Sequence, residues 1–347
     1  MQKLFFNLSI IVGPIGLIVL LTNVAVDPAN LLRGEAYVEE IAQALTRGNN
    51  VDNIANYDER LLQKAYITYT RQPIDRAILG SSRVMEIRQS FFPGEKIVNL
   101  GVSHANINDL IAITGVLDSS HKLPKKVLIG VDPFLICSSK TGDSEWESLG
   151  AYHQYFIKKY HIKTKFQPTQ TNAFKKYYTI ATFDYFRQSL YFWSQGHDKK
   201  FINVGTRQPT KSGRLSDGSI CYSLDYRTPD TLVVSNVADL SAKNKLPVID
   251  PNKLHLMHTL IKFYQRMKIE VSLVMVPFHY NYYTGINKNQ AFNFQTYEKL
   301  FTDFARHHNV AIMGSFNPIQ ESVSKAEFYD LYHCSGESIQ RIIQKHK

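Results

Sequence analysis

Cysteine is scarce, with three residues in a chain of 347. That is too few for disulfides to hold a chain of this size, so packing must do it. No Gly-X-Y or heptad period is present to indicate a fibrous protein, and 44% hydrophobic content is too high for a disordered one. The chain also lacks G-x-x-x-x-G-K-[ST] and G-x-G-x-x-G, so no nucleotide cofactor is expected. Zinc-finger spacing and RNA-binding signatures are missing, as are internal repeats and low-complexity segments. A mean hydropathy of −0.23 excludes a multi-span membrane protein but leaves room for a single span. Acidic residues are outnumbered, 30 Asp+Glu against 40 Lys+Arg, a formal net charge of +10. Such a surface attracts anionic lipid headgroups or acidic cell-surface polymers, or simply confers solubility.

What is present begins with an apolar N-terminus. Leu4 to Val26 contains no charged residue, and a bilayer core takes about 20 apolar residues in a helix. A cleaved signal peptide is the rival, but its apolar region is shorter, about 7–15 residues. Val24-Ala25-Val26 is also a poor cleavage site. Residues 1–26 are therefore expected to be a transmembrane signal-anchor. Lys3 and the amino group would hold the N-terminus in the cytoplasm. The main domain would then lie outside the cytoplasm, periplasmic or at the cell surface, with little access to nucleic acid.

Residues 27–70 read as a polar connector with some helical pattern. Short apolar runs follow at 76–79, 96–101 and 126–133, and again at 271–277 and 310–315. Continuous apolar runs of this length indicate strands buried on both faces. Helical patterns separate them: Asn108–Leu117, a helix opened by Asp250-Pro251, Gln290–His307, and Glu337–Gln344 behind a Ser335 cap. The fold class expected is α/β, a doubly wound parallel sheet flanked by helices, over 71–347. A large insertion rich in aromatics and bases interrupts it at about 135–249, with Leu215–Ser219 as a turn. Within it Phe183, Phe186, Leu190 and Trp193 recur at helical spacing, the pattern of a buried stripe. A cap whose aromatics meet sugars or lipid is the functional alternative.

In an open parallel sheet, ligands bind beyond the carboxyl ends of the strands. The residues expected there are Ser81, Ser82, Arg83, Gly101, Ser103, His104, Asp132 and His279. Gly80-Ser81-Ser82 offers a tight turn into a helix, where backbone N–H groups can stabilise an oxyanion. A serine nucleophile needs a base that is itself oriented. Asp330 and His333 supply an Asp-x-x-His pair after the last strand. His279 is a backup base or substrate contact. His255 and His258 lie one helical turn apart, but no third ligand is near in sequence and no metal is expected. Cys137 and Cys221 are candidates to pair in an oxidising compartment, with Cys334 left as a buried small residue or a reactive thiol.

The order of these motifs resembles the SGNH (GDSL-like) hydrolase superfamily, with its flavodoxin-like sheet. Gly80-Ser81-Ser82 matches the Gly-Asp-Ser turn, Gly101 the oxyanion glycine, and Asp330 with His333 the final block. The resemblance implies Ser82 as nucleophile, His333 as general base and acid, and Asp330 as orienting carboxylate. Two departures stand out: Ser81 replaces an aspartate, and Asp132 stands where an oxyanion asparagine belongs. A carboxylate cannot donate to an oxyanion unless protonated. The Gly-Ser-Ser variant with an N-terminal span is similar to the membrane-anchored branch, which includes the D-alanyl-teichoic-acid transfer protein D and the alginate O-acetylation proteins. That likeness implies an acyltransferase or esterase with no cofactor, taking an acyl donor and a surface-polymer acceptor beside a membrane-bound O-acyltransferase. The alternatives are a catalytically silent glycan-binding or scaffold protein of this fold, and a free-standing lipase or esterase.

Overall fold

The computed structural model describes residues 2–28, 30–138, 144–168, 174–194, 201–227, 248–287 and 293–346, with side chains from residue 12 onward in the first helix. In chain order the elements begin with α1 (Gln2–Val26), α2 (Gly34–Thr46), β1 (Asn50–Asp52) and α3 (Glu59–Tyr69). Next come β2 (Arg76–Leu79), β3 (Ile97–Asn99), α4 (Ile107–Ser119), β4 (Lys126–Val131) and α5 (Pro133–Ile136). The insertion holds α6 (Gly150–Lys159), α7 (Phe174–Ile180), α8 (Phe183–Ser194), β5 (Ile202–Gly205), β6 (Gly213–Arg214), β7 (Ile220–Cys221) and α9 (Leu224–Arg227). The chain closes with α10 (Pro251–Arg266), β8 (Glu270–Met275), α11 (Tyr280–Asn287), α12 (Phe294–His308), β9 (Ala311–Gly314) and α13 (Gly336–Lys345).

The five apolar runs are the five strands of one parallel sheet, ordered β3-β2-β4-β8-β9. Side chains alternate across it. Ala77, Leu79, Val127, Ile129, Leu273 and Met275 join the core shared with α4, α10 and α12. Ile78, Leu128, Val274 and Met313 face the other way, onto Ile339, Ile342 and Ile343 of α13. Both faces are covered, which is why these runs do not alternate apolar with polar. The chain starts at β2, steps outward to β3, then crosses back past β2 to β4. That reversal opens a crevice at the carboxyl ends of β2 and β4.

Helix starts follow the sequence signals. Asn106 and Asp109 form a capping box for α4, Asp250 caps α10 ahead of Pro251, and Ser335 caps α13. Helix α12 begins at Phe294, capped by Asn293. The residues from 290 where a start was expected lie partly outside the described set.

Three expectations change. The 27–70 segment is no passive connector: β1 pairs with β5 and β6 in a four-stranded sheet, β5-β1-β6-β7, and Val38, Ile41, Leu62 and Tyr66 enter the main core. Its few apolar residues sit at helical spacing, enough for one buried face on each of α2 and α3. The supposed buried stripe of α8 faces outward, with Phe183 63% and Trp193 71% exposed. The face of α8 turned inward carries Tyr185 and Ser189, which hydrogen-bond Asp27 and Asn23 at the end of α1. Cys137, Cys221 and Cys334 are buried thiols, none of them in a disulfide. Cys137 meets the Tyr297 hydroxyl and Cys221 the Pro209 carbonyl, so the two thiols belong to different neighbourhoods. Among the described residues, no helix is long and apolar enough to cross a membrane.

The edge of the main sheet is tied down by Asn99. Its buried amide donates to the carbonyls of Val84, Met85 and Ile87, and its Oδ1 accepts from Gly101 N–H. Asn99→Ala is expected to strand these backbone groups and cost about 2–4 kcal/mol. Denaturant unfolding of the variant against the parent chain measures it.

Candidate active site

The site is built from two backbone turns. The chain leaves β2 through Gly80 at φ +144°, where a Cβ would lie 2.9 Å from Val84 Cγ2 and 3.0 Å from the Gly130 carbonyl oxygen. Gly130 is equally constrained, since its Cβ would lie 2.3 Å from Val84 Cγ1. Only a glycine pair lets the two strands and the following turn approach so closely. The chain then extends through Ser81 and enters a single 3₁₀ turn, Ser82–Val84.

The second turn lies 251 residues further on. Tyr329 N–H bonds to the His333 carbonyl, pinching the loop. Within it Asp330 Oδ1 accepts the N–H groups of Tyr332 and His333, at 2.7 and 2.8 Å. The same carboxylate reaches the His333 ring, with Oδ2 2.8 Å from Nδ1. This explains why Asp-x-x-His works at that spacing: an Asx turn curls the backbone until acid and imidazole meet.

These turns bring Ser82 Oγ to 2.8 Å from His333 Nε2. Ser82, His333 and Asp330 form one hydrogen-bonded relay, half-buried at the carboxyl ends of the strands. A relay of this kind carries a proton from the hydroxyl to Nε2, while the carboxylate orients the ring and stabilises the imidazolium. Burial works to raise the Asp330 pKa, but bonds from His333, Tyr226 and the Tyr332 N–H outweigh it and hold the carboxyl well below its usual range.

The other expected residues take different parts. Asp132 does not face an oxyanion site. It accepts Ser81 Oγ at 2.6 Å and caps α5 through Phe134 N–H. Burial pushes its pKa up, against the pull of Arg83. Arg83 is likewise engaged within the fold. It is buried flat against Phe278, with Cζ 3.3 Å from the ring centroid, and donates to the carbonyls of Tyr332 and Val276. Burial lowers its pKa to about 10, so it remains a cation at neutral pH. Its work is to hold the residue preceding His333 against the end of β8.

Gly101 N–H is spent on Asn99 Oδ1 at 3.0 Å and does not point to Ser82 as a free donor. Ser103 N–H goes to Glu59, and His104 is exposed near Glu145. His279 is fully buried, its Nδ1 accepting from Asn281 N–H and its Nε2 without a partner among the described residues. Burial and then Lys325 depress its pKa, leaving a neutral ring that starts α11 instead of serving the relay. Burial raises the thiol of Cys334 to about 12, so it is no nucleophile.

One participant carried no sequence signal. Tyr226, on α9 of the insertion, donates its hydroxyl to Asp330 Oδ2 and lies 3.2 Å from His333 Nδ1. Tyr222 and Tyr329 pack around it. The contact joins residues 104 apart, and nothing local distinguishes this tyrosine among the insertion's many aromatics.

Tyr226→Phe removes one charge-assisted hydrogen bond, worth about 1.5–3 kcal/mol. Reaction of Ser82 with a fluorophosphonate is expected to slow about tenfold or more while the chain stays folded, as read by timed intact-mass measurement. The acid limb of stability is a second outcome. Asp330 and Glu327 are both held below their unfolded values. Despite burial, bonds from Arg341, Ser324 and Ser338 take Glu327 from 4.5 to about 2. A depressed carboxyl stabilises the fold above its unfolded pKa and loses that contribution as pH falls towards the folded one. The C-terminal segment should therefore loosen between about pH 4.5 and 2, seen as rising hydrogen exchange over 324–346, and Glu327→Gln should flatten that dependence.

No family model matches the chain, and no curated protein matches its sequence.

Proposed function

We propose that the chain is a serine-dependent acyl-transfer protein of the SGNH type. It would move an acyl group onto a hydroxyl of a cell-surface polysaccharide or polymer. The observation that carries this reading is the Ser82–His333–Asp330 relay at the point where strand order reverses. Ser82 Oγ attacks the acyl carbonyl as its proton passes to His333 Nε2. Collapse of the tetrahedral adduct expels the donor's leaving group, which takes that proton. An acceptor hydroxyl then gives its proton to His333 and attacks acyl-Ser82, restoring the free serine. Water in place of the acceptor makes the same site an esterase.

Attachment to a membrane belongs to the same proposal. Helix α1 exposes Val12, Ile15, Leu17, Ile18, Leu20, Leu21 and Val24. Beside it, clasped by Asn23 and Asp27, α8 exposes Phe183, Tyr191 and Trp193. Apolar helix next to outward Trp and Tyr is the composition of a bilayer and its interface. A signal-anchor with the body outside the cytoplasm fits it, and a membrane-bound O-acyltransferase is the partner class able to present the acyl donor.

One observation favours a second reading, a catalytically silent protein of this fold that binds glycan or scaffolds such an assembly. Gly101 N–H is taken by Asn99 and Asp132 by Ser81, so neither stands free to serve a developing oxyanion. The two readings separate on one experiment. The full chain in detergent is treated with a fluorophosphonate and weighed intact, beside Ser82→Ala and His333→Ala. A single adduct is expected, absent in Ser82→Ala and formed at least about 100-fold more slowly in His333→Ala. A folded parent chain that takes no adduct would sink the enzyme reading and leave the scaffold.

A further inference from the structure

We propose that His258, His307 and His308 form a binding site for a first-row divalent cation of the Zn²⁺ type, clamping α10 to α12. The sequence pairs His258 with His255, one turn away on α10. The fold instead brings His258 to the last turn of α12. The ligand nitrogens of the three rings all lie within 4.8 Å of one another. His258 Nδ1 and His308 Nε2 are only 2.6 Å apart. Two imidazole nitrogens facing each other at that distance need a proton or a cation between them, because two lone pairs repel.

A tetrahedral ion with Zn–N bonds of about 2.0–2.1 Å separates its ligands by about 3.4 Å. The cluster reaches that by opening one contact and closing others by an ångström or so. Three imidazoles with no thiolate or carboxylate suit Zn²⁺, Co²⁺, Ni²⁺ or Cu²⁺ and disfavour Ca²⁺ and Mg²⁺. Burial is graded: His308 is buried, His258 half-buried and His307 exposed. Phe304 packs its ring on both His258 and His308, with centroids 4.6 Å from each. One side is thus walled and the other open to a water as fourth ligand. Lys262 adds positive charge nearby, which opposes the ion and limits its affinity.

The site is separate from the serine relay. His307 and His308 precede β9, toward the amino ends of the parallel strands, whereas Ser82 and His333 follow carboxyl ends. An ion here would fasten two helices and leave the relay untouched.

The test uses the full chain in detergent, tag removed and stripped with chelator. Zn²⁺ binding is measured by competition with a chromophoric chelator, and Co²⁺ is added as a spectroscopic probe. One equivalent of Zn²⁺ is expected, with the visible absorption of four-coordinate Co²⁺ and a higher melting temperature with the ion. His307→Ala alters an exposed side chain, so folding should survive. It should weaken binding at least about tenfold, since losing even an outer-shell partner costs that much. Fluorophosphonate labelling of Ser82 in the same variant should be unchanged. Less than one equivalent bound, or parental affinity in His307→Ala, would overturn the proposal and leave a proton shared between His258 and His308.

Discussion

The candidate site depends on how closely β2 and β4 leave the sheet side by side. Val84 fills the space that side chains at Gly80 and Gly130 would occupy. Because neither glycine has a Cβ, the turn after β2 folds down onto β4, and Ser81 comes within hydrogen-bond reach of Asp132. Ser82 is then presented at the crevice instead of being carried away along a helix. Asn99 secures the same turn from the edge side by taking up three of its carbonyls. The position of one hydroxyl therefore rests on two missing methyl groups and one saturated amide.

Charge buried beneath the site does mechanical work. Arg83 has no exposed face, yet it links Val276 at the end of β8 to Tyr332 beside the histidine. A guanidinium suits this because its fork bonds two carbonyls while its plane rests on Phe278. Asp132, nearby and equally buried, offsets its charge and locks Ser81. Both residues were expected at the substrate, and both are spent on holding Ser81 and the loop before His333 in place. The insertion contributes in the same way. Its turn at 215–219 docks on the edge strand, with Asp217 accepting from Gln89 N–H and its carbonyl from Asn99 N–H, while Tyr226 reaches the acid.

The α8 helix shows why periodicity and burial are different facts. A repeat of aromatic residues at helical spacing fixes which side chains share a face. It does not say whether that face meets protein, water or lipid. Here the inward face is the polar one, since Asn23 and Asp27 of the α1 end need partners and Ser189 and Tyr185 supply them.

By itself the sequence determined the five strands, the caps of α10 and α13, and the separate candidacies of Ser82, Asp330 and His333. These are local properties, set by apolar runs, by side chains bonding backbone two or three residues away, and by the Asx turn that couples Asp330 to His333. The tertiary structure alone decided which distant groups meet. Ser82 finds His333 across 251 residues, Tyr226 finds Asp330 across 104, and His258 finds His308 across 50. It also decided that Gly101, Asp132 and Arg83 spend their hydrogen bonds on the fold. Whether a polar group is free for chemistry depends on what the packed chain leaves unpaired beside it, and no local pattern encodes that.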